Sequence, residues 1–131
     1  VRAMLLALVP NVEACKENLG AQAVGNGLYG MQGMSSDNSE VRALLAVLAP
    51  KVKIAKEDLN VQELGNGLYG MQRMSSDSAE VRAMLTALVT KVEGCKESLD
   101  AQAVGNGIYG MQGMSSDSPE VRTMLTALTL K

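Results

Sequence analysis

From Val41 onward, apolar side chains fall at Val41, Leu44, Leu45, Leu48, Val52, Ala55 and Leu59. Steps of three and four trace one face of an α-helix, so the spacing predicts a long amphipathic helix there. The same stripe returns at Val81, Met84, Leu85, Leu88, Val92, Cys95 and Leu99. It also precedes them at Val1, Met4, Leu5, Leu8, Val12, Cys15 and Leu19. Each start carries Asp and Glu three apart (Asp37 and Glu40, Asp77 and Glu80, Asp117 and Glu120). That pattern reads as a capping box with Asp in the Ser/Thr place. Pro119 falls in a first turn, where its missing N–H costs little. Pro10 and Pro50 lie inside the stripe. An interior proline removes a backbone hydrogen bond. The unbroken apolar phase favours a kink, and a break into two short helices is the alternative.

A shorter unit follows at Gly20–Met34, Asn60–Met74 and Asp100–Met114. Its apolar positions, such as Leu64, Leu68, Met71 and Met74, again step by three and four. Asn60 and Asp100 are strong N-cap residues and Gly20 a fair one, and Ser-Ser-Asp then supplies a turn. The unit contains the block Gly25–Gln32, which returns at Gly65–Gln72 and at Gly105–Gln112, an interval of 40 residues each time. A fixed period of this size marks a tandem array of one supersecondary unit. The expected fold is therefore all-α: an α-α superhelix (solenoid) alternating long and short helices. Residues 1–131 form one domain with units 1–40, 41–80 and 81–120 and a partial repeat, 121–131. Glycines such as Gly25, Gly27, Gly30 and Gly33 each cost about 1 kcal/mol against Ala inside a helix. Either close backbone approach offsets this, in a continuous helix, or Gly25–Gly27 is a turn and the helix begins at Leu28. The continuous helix is the preferred reading.

Composition narrows the function. The chain has no His, Phe or Trp, so its core is built from Leu, Val, Met and Ala. The commonest general base and metal ligand is missing. No nucleophile–base pair and no metal-ligand spacing is present, so neither enzymatic activity nor a cofactor is expected. Net charge is −2, with 12 basic and 14 acidic residues scattered along the chain, which does not favour a polyanion partner. Cys15 and Cys95 stand two repeats apart, an estimated ~20 Å for stacked helices, too far for a disulfide. They are expected to be reduced and buried, which suits an intracellular, most simply cytoplasmic, protein. No apolar run reaches the ~20 residues of a membrane helix, so no membrane partner is expected. Val1 and Lys131 both fall within a repeat, which reads as an excerpt or a designed array. Gly25–Gly30 spells G-x-G-x-x-G, but no strand precedes it, and a dinucleotide site needs one.

The candidate binding residues are polar. Gln22, Asn26 and Tyr29 recur as Gln62, Asn66 and Tyr69 and as Gln102, Asn106 and Tyr109. Offsets of four and three put each trio on one helical face, opposite the Leu/Met stripe; Gln32, Gln72 and Gln112 continue it approximately. Two readings stay open. The amides bond to backbone or to their copies in the next repeat, or they line a groove and hold an extended chain. Arg73 stands where Gly33 and Gly113 occur, and with Glu13/Lys53/Glu93, Ala14/Ile54/Gly94 and Ala23/Glu63/Ala103 it varies between copies. Such variation on a constant framework is how a repeat protein could write specificity, or it is drift on solvent. Lys16-Glu17, Lys56-Glu57 and Lys96-Glu97 read as a solvated rim.

Leu68–Leu88 resembles the inter-helix stretch of HEAT and armadillo repeats: an apolar helix end, a Ser/Asp turn, Glu-Val-Arg, then an Ala/Leu-rich helix. The Gly-Asn-Gly-Leu-Tyr-Gly block belongs to neither pattern, and the prolines follow the turn where HEAT repeats place theirs before it. The resemblance implies an α-solenoid scaffold that binds a protein or peptide. It makes Asn26, Asn66 and Asn106 similar in kind to a backbone-holding asparagine ladder. A helical-repeat binder of single-stranded RNA is the alternative, with the tyrosines stacking on bases; the charge balance disfavours it. A fragment or designed array with no ligand is the third reading. Neither end carries a polar capping repeat, so head-to-tail self-association is also expected.

Overall fold

The computed structural model describes residues 2–131, so the Val1 position of the first stripe lies outside the described residues. Seven helices are present and, among the described residues, no strand. They are α1 (Arg2–Ala14), α2 (Ala21–Tyr29), α3 (Ser39–Ile54), α4 (Val61–Tyr69), α5 (Ala79–Gly94), α6 (Ala101–Gly110) and α7 (Pro119–Thr129). The long helices α1, α3, α5 and α7 pack each against the next, and so do the short helices α2, α4 and α6. This packing is compatible with a helical repeat. The core lies between the two rows: Leu45, Leu85, Leu88, Met71 and Met84 are fully shielded from solvent. No helix is long and apolar enough to cross a membrane.

Proline neither breaks α1 nor α3, since Pro10 and Pro50 both lie within a continuous helix. Pro50 and Ala46 are exposed, so the carbonyl left without its amide partner can turn to water. The long helix is shorter than the apolar stripe predicts. It stops at Ile54 and Gly94, and Ala55 and Cys95 follow in extended conformations. Ala55 and Leu59 are buried nonetheless, from a non-helical connector whose side chains keep contact with the core. Gly25 and Gly27 lie inside α2, so the continuous helix holds and the turn alternative does not. The short helix closes by Tyr29, Tyr69 and Gly110, and turns carry the chain through the methionines that follow.

The predicted Asp–Glu capping box is absent. Asn38, Ser78 and Ser118 are the N-caps of α3, α5 and α7, and Ser78 accepts a hydrogen bond from the Val81 N–H. The aspartates serve through their backbone instead. The N–H groups of Asp37, Asp77 and Asp117 each donate to the hydroxyl two residues earlier, at 3.1 Å. Arg42, Arg82 and Arg122 reach back to donate to the carbonyls of Ser36 and Asp37, Ser76 and Asp77, and Ser116 and Asp117. On the short helices the predicted caps hold. Asn60 and Glu63 form a reciprocal capping box, and Asp100 accepts from the Ala103 N–H at 2.8 Å. Gly20 has no side chain to offer, and Glu57 of the next repeat accepts from the Ala21 N–H at 3.4 Å.

Other bonds also stitch one block to the next. The buried Ser36 and Ser76 hydroxyls accept from the N–H groups of Ser75 and Ser115, each at 2.8 Å. Lys51 donates to the Cys15 carbonyl at 2.6 Å, and Lys91 and Lys131 do the same for Ala55 and Cys95. Both cysteines are free. Cys95 is buried as expected, packed where α3 lies against α5, but Cys15 is exposed.

The Glu120 carboxylate is held in its charged form. Its own backbone N–H and then the Ser118 hydroxyl donate to the carboxylate, and Arg82 and Arg122 lie close, so its carboxyl sits below the usual carboxylate range. A depressed carboxyl contributes stability above its unfolded value and loses it as pH falls through the folded value. Thermal melts from neutral to acid pH should therefore show Glu120→Gln flattening the acid-side loss. An unchanged pH profile would show that this carboxylate does not contribute.

Candidate functional site

The buried face of each short helix fixes where its polar face points. In α2, Ala21, Val24, Gly25 and Leu28 are buried, and the corresponding face of α4 is buried as well. The helical phase then places Gln22, Asn26 and Tyr29, and their copies, on the opposite side. Gln22, Gln62 and Gln102 are exposed, as is Asn26, while Asn66 and Asn106 are half-buried.

Close packing of the short helices depends on glycine. A Cβ on Gly65 would stand 3.1 Å from the Ala103 Cα, and one on Gly25 3.2 Å from the Glu63 Cα. On Gly70 and Gly110 it would overlap the carbonyl oxygens of Leu28 and Leu68 in the preceding short helix. The predicted close backbone approach is thus observed. It brings the tyrosines into a continuous stack: Tyr29 and Tyr69 have centroids 5.6 Å apart with planes at 23°, and Tyr69 and Tyr109 are 5.4 Å apart at 17°. These spacings are in the range of favourable offset aromatic pairs.

Between α4 and α6 the amides open onto a cleft of about 260 Å³, lined by Gln62, Asn66, Asp100, Gln102 and Asn106, with Gly65 and Ala103 at its floor. The structure therefore brings together four of the ten candidate residues. Among the described residues, no side-chain hydrogen bond involves Gln22, Gln62, Gln102, Asn26, Asn66 or Asn106. The amides thus form no internal ladder, and each keeps a carbonyl acceptor and an NH₂ donor for another partner. Of the glutamines that continue the face, Gln72 donates to the Tyr69 carbonyl at 3.3 Å.

Two residues change role. Arg73 does not line the cleft; it donates to the Gly33 carbonyl at 3.2 Å and so ties its turn to the preceding one. Asp100, read from sequence only as a helix cap, also lines the cleft and brings a carboxylate to it. Spacing on the helix gives no sign of this, since residues two apart do not share a face; only the packing of α4 against α6 brings the cap to the cleft. Neutral amides, phenol rings and one carboxylate can grip the donors and acceptors of an exposed backbone. No protein-family model, curated protein or solved structure matches the chain.

Proposed function

We propose that the chain is a non-enzymatic, HEAT/armadillo-like α-solenoid module. Residues 1–131 act as one domain of units 1–40, 41–80, 81–120 and 121–131, holding an extended peptide or protein segment along its Gln/Asn/Tyr face. The observation that carries this reading is that, among the described residues, the six amides on Gln22, Asn26, Gln62, Asn66, Gln102 and Asn106 make no side-chain hydrogen bond, while four of them line one cleft. An extended segment offers unpaired N–H and C=O groups at every residue, whereas a helix has already used most of its own. The tyrosine stack supplies an apolar wall beside those amides. Asp100 favours a segment with neutral or basic side chains over an acidic one. The free thiols Cys15 and Cys95 agree with a reducing, intracellular setting.

The tyrosines give the RNA alternative less support than their number suggests. A base inserted between two rings needs them about 7 Å apart, twice the van der Waals separation, and these stand at 5.4–5.6 Å. The test is an array of unstructured peptides probed with the wild type and with Asn66→Ala/Tyr69→Ala, alongside titration of single-stranded oligo(U). Loss of two polar contacts and an aromatic surface should weaken the best peptides about tenfold or more, while the variant stays folded with a melting temperature lowered only by the lost ring stacking. Undiminished peptide binding, loss of the fold, or binding of oligo(U) alone would each remove this reading.

A further inference from the structure

Within the chain, one interface is made twice: α2 against α4, and α4 against α6. The outer face of α6 repeats the face that α4 turns toward α6, and the outer face of α2 repeats the one that α4 turns toward α2. Exposure follows the same logic. Leu28 and Leu68 are 2% and 1% exposed, but their copy Ile108 is 60% exposed. Val24 and Leu64 are buried, whereas Val104 is 41% exposed. On the other side, Met84 and Met124 are wholly buried and Met4 is 74% exposed.

We infer that α6 of one copy takes α2 of a second copy, so that the α4–α6 interface is made once more between molecules. Tyr109 then stacks on the partner's Tyr29, and Ile108 fills the space over the partner's Gly27, as Leu28 fills that over Gly67. Gly30 of the partner receives the Ile108 carbonyl, as Gly70 receives that of Leu28. The contact is heterologous: it uses different faces on the two molecules and can propagate.

The long row adds a condition. Residues 121–131, which include most of α7, hold the same positions in the sequence repeat as residues 1–11, and Arg2–Asn11 of these lie in α1. When α2 of the second copy continues from α6, its α1 and the first copy's α7 compete for one slot. α7 buries Val121, Met124 and Ala127, whereas α1 buries Leu5 alone. Lys131 further ties α7 to the Cys95 carbonyl. The second copy's α1 therefore gives way. Arg122 of the first copy takes the place of Arg2, which now bonds Asn38 and faces Glu40, in the way Arg82 faces Glu120.

Two substitutions block opposite faces. Gly30 has φ −62° and ψ −19°, so Ala fits the monomer, but its methyl would meet the incoming carbonyl. Ile108→Glu puts a charge on the α6 face at a position that the monomer leaves exposed. In sedimentation velocity over a range of concentrations, the wild type should grow in mass, and each variant alone should remain monomeric with an undiminished melting temperature. Mixed one to one, the variants retain one intact pair of faces and should form dimers and nothing larger. Hydrogen exchange in α1 should speed up on assembly. A wild type that stays monomeric, a variant that associates like wild type, a mixture that stays monomeric, or α1 amides equally protected after assembly would overturn the inference.

Discussion

Gly70→Ala should destabilise the protein by about 3 kcal/mol, a fall in melting temperature of roughly 10 °C. A Cβ at Gly70 would overlap the Leu28 carbonyl oxygen, so the clash is with backbone, which cannot rotate away as a side chain would. Relief requires α2 and α4 to separate, and that would pull apart the Tyr29–Tyr69 stack and part of the core beneath it. Gly27 provides the control. It lies inside α2, and nothing stands within 4 Å of a Cβ built there. Gly27→Ala should therefore gain about 0.5–1 kcal/mol from helix propensity. Thermal melts of the two variants read both effects. Equal responses would show that the short helices are not held at the observed separation.

Leu85→Ala is the second large effect, at about 3–4 kcal/mol. Leu85 is fully buried between neighbouring long helices, with α3 on one side of α5 and α7 on the other. Its copy Leu125 on α7, which packs on α5, is 39% exposed. Leu125→Ala should cost about 1 kcal/mol, since the side chain has less contact to lose and water can fill the space. Denaturant midpoints for the pair measure how much one block shelters the next. If both substitutions cost the same, burial by neighbouring blocks does not set the stability of α5.

The helix faces were legible from apolar spacing because both helix types bury a stripe against the same core. Their ends were less so. Ala55 and Leu59 continue the three–four rhythm beyond Ile54, and spacing alone cannot separate a helical residue from a connector residue that also reaches the core. Asn60 held a clue: an N-cap needs extended backbone, so the preceding helix must stop before it. The Asp37–Glu40 reading failed because Arg42 and the Ser35 hydroxyl engage the Asp37 backbone and leave its side chain exposed. For the site, the offsets of Gln62, Asn66 and Tyr69 gave the shared face. They could not say whether the amides bond to one another, which depends on how neighbouring short helices are offset. Arg73's hydrogen bond is hidden for a related reason: its partner Gly33 lies one full repeat away. The roles of Lys51, Lys91 and Lys131 are not legible in the sequence, because each contacts a carbonyl 36 residues back, an interval that the 40-residue period does not display.

Those lysines all point the same way along the chain, each fastening the end of the long helix before it. Detaching α7 removes the clasp on the end of α5 and leaves the Cys95 carbonyl bare. Detaching α1 costs Lys51 only a target, and its ammonium is readily hydrated. A tug from the Lys131 side thus loosens the neighbour it uncovers, whereas a tug from the other side leaves the neighbour's own clasp shut. The clasps therefore pass a disturbance from a block to the one before it and not to the one after it.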